Sequence, residues 1–169
     1  LLGTGYWAAE THAATLATHP EVEFVGVWGR TATAVVTLAQ RYGVVAFPEV
    51  DELFDEVDAI AVALPPEVQG ELAVRAAARG KHLLLDKPLA LAPGVADEIV
   101  TEVRRRDLAS VVFFTRRFDP TIEAFIAAAC WAREPAARLR SVMSRATTDA
   151  PVIAFPSMIG QMVRETSIG

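Results

Sequence analysis

Lys81 and Lys87 are the two lysines of this chain, set against 14 arginines. Where arginine carries almost all other positive charge, a lysine at the end of Gly80-Lys81-His82-Leu83-Leu84-Leu85-Asp86-Lys87-Pro88 suggests a need for a compact, tunable ammonium, able to hold a hydroxyl and pass a proton. Asp86 beside it can orient it. The competing interpretation is an ordinary solvated Asp-Lys pair, worth well under about 1 kcal/mol. Chemistry of a second kind is available to Gly3-Thr4-Gly5-Tyr6-Trp7-Ala8, which has the form G-x-G-x-x-A. Gly3 permits a tight turn, Gly5 leaves room for a pyrophosphate to approach the backbone, and Ala8 lets a helix pack closely on a strand. The helix N-terminus then offers free N–H donors to phosphate. A tight βα turn would need small residues here even with no ligand to bind.

A dinucleotide loop of this kind has its ribose read at the end of the following strand, where a carboxylate about 20 residues on would mark NAD. No Asp or Glu occurs between Glu23 and Glu49; the segment there is Val27-Trp28-Gly29-Arg30-Thr31. Gly29 avoids bulk beside a phosphate, and the Arg30 guanidinium can grip one bidentately, so NADP is favoured, with NAD as the alternative. Arg30 could equally be a solvated residue at a helix start. Leu64-Pro65-Pro66-Glu67 ends an apolar run in a turn, giving either a backbone wall beside the cofactor or a proline that simply starts a helix. His12, His19 and His82 fit structural or solvated roles better than catalytic ones.

These residues need a scaffold, and the hydrophobic pattern supplies one. Short β-branched runs predict strands at Val22 to Trp28, Val44 to Phe47, Val57 to Leu64, His82 to Leu85 and Ser110 to Phe114, with Leu1-Leu2 ending another. Helical periods lie near Tyr6 to Thr18, Thr31 to Arg41, Glu67 to Arg79 and Ala92 to Arg106, where Val95, Ile99 and Val103 recur at i, i+4 and i+8. Gly43 and Gly80 stand where helix ends favour a left-handed residue. This alternation predicts a doubly wound α/β Rossmann fold with a parallel sheet over residues 1–115, followed by a remnant of a second α/β domain over 116–169.

Composition limits the remaining function classes. The chain has 169 residues, 52% apolar and 22% charged, which excludes disorder. A net charge of -5 and the absence of any basic run longer than Arg104-Arg105-Arg106 argue against nucleic acid. The longest uncharged stretch, the 14 residues Ala150 to Val163, is too short and too proline-broken to span a bilayer, so no membrane partner is expected. A single cysteine, Cys130, and three scattered histidines give neither a disulfide framework nor a metal site. With no leader to read at Leu1, a cytoplasmic location is the expectation.

Taken together, these segments resemble the glucose-fructose oxidoreductase / inositol dehydrogenase (Gfo/Idh/MocA) family. The resemblance is carried by Gly3 to Ala8, Val25-Gly26-Val27-Trp28-Gly29-Arg30, Ala63-Leu64-Pro65-Pro66, Gly80-Lys81-His82 through Asp86-Lys87-Pro88, and Phe114-Thr115-Arg116-Arg117-Phe118-Asp119-Pro120. It covers about residues 1 to 129. Asp86 replaces the family's usual Glu, and Gln69 stands where many members have His, which would remove one polar contact. The resemblance implies an NAD(P)-dependent oxidoreductase acting on a small sugar, cyclitol or related polyol by hydride transfer. It gives Lys87 the reacting hydroxyl, with Asp86 beside it. The implied cofactor contacts are Gly3, Thr4, Gly5, Tyr6, Trp7, Gly29, Arg30, Thr31, Leu64, Pro65 and Arg116.

The family's second-domain Asp and His have no counterpart, since no histidine follows His82 and Asp149 lacks the expected surroundings. All three methionines and the cysteine fall after residue 129, where net charge changes from -7 to +2. That shift suggests a truncated or altered substrate domain, or a reading-frame disturbance near residue 130. Whether the chain is an active enzyme or a dinucleotide-binding module without turnover is left open. A Rossmann-type methyltransferase is disfavoured by the missing acid at the second strand end. Exposed apolar surface and a mean hydropathy of +0.30 predict a homo-oligomer.

Overall fold

The computed structural model describes residues 1–114 and 119–131. Five parallel strands order the main body: β1 Gly26–Val27, β2 Val45–Ala46, β3 Ala59–Ala61, β4 His82–Asp86 and β5 Ser110–Phe113. Leu2 bridges Trp28 on one side and Val62 on the other, again in parallel. The order across is therefore β2, β1, the Leu2 segment, β3, β4, β5, so the chain starts centrally and winds outward first one way and then the other. This is the α/β Rossmann topology, and the reversal beside Leu2 opens the crevice in which such sheets bind ligands.

The first crossover is helical from residue 6, with a π-helical segment Ala8–Ala13 leading into α1 Ala14–Thr18. The later crossovers carry α2 Ala32–Tyr42, α3 Val50–Glu56, α4 Pro66–Ala78 and α5 Pro93–Arg105. Within the π segment the Ala9 carbonyl accepts the Tyr42 hydroxyl at 2.9 Å. Helix ends follow the glycine pattern: Gly43 has φ +68 and Gly80 has φ +76. After α4, the Lys81 N–H reaches the Ala76 carbonyl at 3.0 Å and the Gly80 N–H the Ala77 carbonyl at 2.9 Å, closing the last turn.

The strands are shorter than the apolar runs predict, with only Gly26–Val27 forming a ladder within Val22 to Trp28 and only Ala59–Ala61 within Val57 to Leu64, Trp28 and Val62 adding single bridges to Leu2. Residues past each end contribute hydrogen bonds without forming a ladder, as when the Val62 N–H donates to Leu84 O at 2.8 Å. Helix α3 lies outside the helical periods read from the sequence. Its seven residues are too few for a clear period, yet Val50, Leu53 and Phe54 lie at i, i+3 and i+4 and are all buried. Leu53 and Phe54 are completely covered and join Leu2, Ile60, Val62 and Leu83 in the core, each such burial contributing about 1.5 to 3 kcal/mol. Ile99 is buried with Val95 and Val103 packed against the same cluster, as their spacing predicts.

The chain divides between Phe113 and Phe114. In the second unit, α6 Pro120–Trp131 starts at a capped end: the Asp119 carboxylate accepts the Thr121 N–H at 2.8 Å, and Pro120 occupies the first turn. Arg116, Asp149 and the compositional shift beyond Trp131 lie outside the described residues.

Candidate dinucleotide site and the Lys87 turn

Backbone hydrogen bonds hold the glycine loop at the centre of the sheet. Leu2 N–H donates to Ala61 O, Gly3 N–H to Trp28 O and Ala63 N–H to Leu2 O, each at 2.8 Å. Gly3 is buried with φ +122, and a Cβ there would sit 2.3 Å from the Ala63 carbonyl oxygen and 3.5 Å from Ala8 Cβ. Both conformation and space therefore require glycine, and the fully buried Ala8 completes the close packing. Gly5 is different in kind: a Cβ there would meet nothing within 4 Å. Open space lies before Gly5 just where the helix begins, and the first turn of a helix leaves its N–H groups without internal acceptors. Tyr6 and Trp7 border this opening, 82% and 41% exposed. The backbone fits a pyrophosphate.

Gly29 adjoins the loop. A Cβ on it would lie 2.9 Å from Thr4 Cγ2 and 3.3 Å from Val35 Cγ2, so the small residue makes room for Thr4 and helix α2 as well as for any ligand. Arg30 and Thr31 are exposed at the end of the same segment, and no described side chain pairs with the Arg30 guanidinium. Leu64 and Pro65 follow β3 on the next segment of the sheet, and Pro66 is the first residue of α4. Gly3, Thr4, Gly5, Gly29, Arg30, Leu64 and Pro65 thus come to the carboxyl end of the central strands. A separate groove of about 470 Å³ between α4 and α5, lined by Val74, Leu91 and Val95 among others, contains none of these residues and not Lys87.

Lys87 leaves the same edge immediately after β4, and its side chain is exposed. The Asp86 carboxylate accepts the Lys87 backbone N–H at 2.8 Å, so it acts on the lysine through the main chain; among the described residues neither forms an ion pair. Gln69, on α4, overturns the expectation that this position makes one polar interaction fewer. It is 1% exposed, its Oε1 accepts the Asp86 N–H at 2.9 Å, and its Nε2 lies 2.7, 2.9 and 3.1 Å from the carbonyls of Asp86, Pro88 and Leu89. The Lys87-Pro88 peptide within this turn is cis.

His12, expected to be structural or solvated, is buried in a structural position. It is 3% exposed, stacked edge-on between Trp7 and Phe113 at centroid distances of 6.4 and 5.9 Å, and its Nε2 has no partner among the described residues. Burial pushes its pKa below the ordinary value, while the Asp86 carboxylate pulls it the other way. The spacing Ala8 to His12, one helical turn on the inward face, was the available signal. The π segment adds what no spacing rule gives, because i→i+5 bonding widens the turn and brings residues five apart, Trp7 and His12, toward one face.

Residues 1–114 match the model of a family described as oxidoreductases with an NAD-binding Rossmann fold. A dTDP-3,4-didehydro-2,6-dideoxy-alpha-D-glucose 3-reductase from Streptomyces antibioticus is 31% identical over 117 residues, covering 68% of this chain and 36% of that relative. A solved UDP-N-acetylglucosamine 3-dehydrogenase from Acidithiobacillus ferrooxidans superposes with a TM-score of 0.70 at 28% identity, over 76% of this chain and 42% of the other. A 3-ketoreductase from Actinomadura kijaniata in complex with NADP gives a TM-score of 0.70 at 25% identity over the same shares. The chain spans about a third of the length of the curated relatives it matches.

Proposed function

From a chain that belongs to the Gfo/Idh/MocA oxidoreductase family, we propose the dinucleotide-binding part of an enzyme that transfers hydride between NADP and a carbon of a sugar, cyclitol or related polyol. The carrying observation is the open space before Gly5 at a helix start, with Arg30 beside it and Lys87 on the same sheet edge. Bound there, the nicotinamide would supply the hydride chemistry. The loop from Gly3 to Trp7 cradles the pyrophosphate, its N–H donors coming from Thr4 onward because the Gly3 N–H is held by Trp28 O, and the exposed Tyr6 and Trp7 rings flank it. Arg30, with Thr31, grips the 2'-phosphate. Leu64 and Pro65 form a backbone wall, Lys87 holds the reacting hydroxyl and relays its proton, and Asp86 fixes the lysine's main chain. Arg116 is proposed as a further cofactor contact on the strength of the motif around it.

The NADP-bound ketoreductase supports the cofactor, and the printed names of the Streptomyces and Acidithiobacillus relatives support a sugar-derived substrate. The domain assignment proposed is a nucleotide-binding unit over 1–115 and part of a substrate domain over 116–169. The test is isothermal titration of wild type and Arg30→Ala with NADPH and NADH. The expected result is tighter binding of NADPH by wild type, with Arg30→Ala losing about 1.5 to 3 kcal/mol for NADPH and little for NADH. Equal affinities in wild type would overturn the cofactor assignment.

A further inference from the structure

Gln69 and His12 are the two buried polar side chains among the described residues, and Gln69 alone is spent wholly on one turn. A carboxamide has two N–H donors and an acceptor oxygen. Here the oxygen takes the Asp86 N–H, and the two hydrogens are shared among the carbonyls of Asp86, Pro88 and Leu89. The backbone on both sides of Lys87 is therefore tied to a single side chain from α4. The lysine's own N–H is held by the Asp86 carboxylate, while its ammonium has no ion-pair partner among the described residues. What sets the ammonium's position is the turn, and what sets the turn is Gln69.

We propose that Gln69 is the positioning residue for Lys87, clamping the Asp86 to Leu89 turn so that the ammonium leaves the sheet edge from a fixed backbone. Lysine has a long flexible stem, and a displacement of about 1 Å at its root is enough to cost a reaction some 100-fold. A buried carboxamide stripped of its partners destabilises the fold, so the turn and the side chain hold each other. Neutral imidazole offers one donor and one acceptor and could satisfy only half of these four groups. The catalytic meaning of the clamp rests on the role proposed for Lys87; the clamp itself does not.

Two features of the sequence make the test clean. The chain has no asparagine and three glutamines, Gln40, Gln69 and Gln161, so its side-chain amide spectrum contains three NH₂ pairs, and its two lysines give two side-chain signals after ¹³C reductive methylation. In the full chain, the Gln69 NH₂ protons are expected to exchange about tenfold or more slowly than those of an unstructured peptide. In Gln69→Leu the Lys87 methyl signal is expected to move away from its wild-type position while Lys81 stays in place, with Gln69→His intermediate. A folded Gln69→Leu that leaves the Lys87 signal at its wild-type position would overturn the proposal. If Gln69→Leu does not fold, the wild-type exchange decides, and unprotected Gln69 protons overturn it. NADPH addition separates the two readings: a wild-type Lys87 signal that ignores bound NADPH speaks against the lysine's placement at the nicotinamide and leaves the clamp standing.

Discussion

At the scale of single residues, the two loop glycines do different work and should fail differently. Gly3 is required by the fold, since alanine there would combine a left-handed backbone with a Cβ 2.3 Å from the Ala63 carbonyl. Gly3→Ala is expected to lower unfolding stability by more than about 2 kcal/mol in denaturant titration. Gly5→Ala meets open space, so its stability should stay within about 0.5 kcal/mol of wild type. Its NADPH affinity should nevertheless fall, because the added methyl occupies the volume proposed for the pyrophosphate. Tryptophan quenching by NADPH, with Trp7 in the loop and Trp28 at the strand end, reads this directly. Unchanged affinity in a folded Gly5→Ala would show that the phosphates lie elsewhere. The motif G-x-G-x-x-A and the different demands on its two glycines were legible from residue types; the group that enforces glycine at position 3, the Ala63 carbonyl far along the chain on the next segment of the sheet, was not.

At the scale of elements, the first helix and β5 meet through His12, and that coupling has a pH signature. Histidine in the unfolded chain titrates near 6.5, and burial lowers the folded value. Above pH 6.5 both states hold neutral imidazole and stability is at its full value. As pH falls below 6.5 the unfolded chain takes up the proton first, so stability declines until the folded state also protonates, with a slope of at most about 1.4 kcal/mol per pH unit. Urea unfolding between about pH 5 and 8 should therefore show a loss on the acid side that His12→Leu removes. The same slope in both proteins would mean that His12 is not its source. The longer helices were readable because apolar periods are local, whereas α3 was too short to show one; the π turn was not readable either, because its partners, such as the Tyr42 hydroxyl on Ala9 O, come from another helix.

At the scale of the whole molecule, the proposed function separates cofactor binding from hydride transfer. Lys87 is the group proposed to hold the reacting hydroxyl, and loss of a general acid-base group costs about 10²- to 10⁴-fold. The informative experiment pairs NADPH binding with NADPH absorbance across sugars, inositols and their keto forms. Quenching is expected in wild type and Lys87→Ala alike, with any oxidation falling by that factor in Lys87→Ala, and oxidation unchanged in Lys87→Ala would contradict the role proposed for the lysine. Large exposed apolar side chains such as Tyr6, Leu91 and Phe125 also predict self-association. Sedimentation velocity at tens of micromolar, roughly the range of weak apolar contacts, should show species larger than a monomer.

The sequence by itself determined the βα alternation, the glycine loop, the missing acid after the second strand and the lysine at the end of β4. Each depends on residue types within one turn or one strand, where local sterics and hydrophobic period dominate. It did not determine the true extent of the strands, because pairing is decided by neighbours such as Leu2, which bridges Trp28 and Val62 from far away in the chain. Nor did it give Gln69 its role. Set against the His that the resembling family carries there, Gln69 reads as one polar contact fewer, and only the folding of α4 against β4 brings its carboxamide to the four backbone groups around Lys87. A buried polar group is defined by the partners that surround it, and those partners exist only in the tertiary structure.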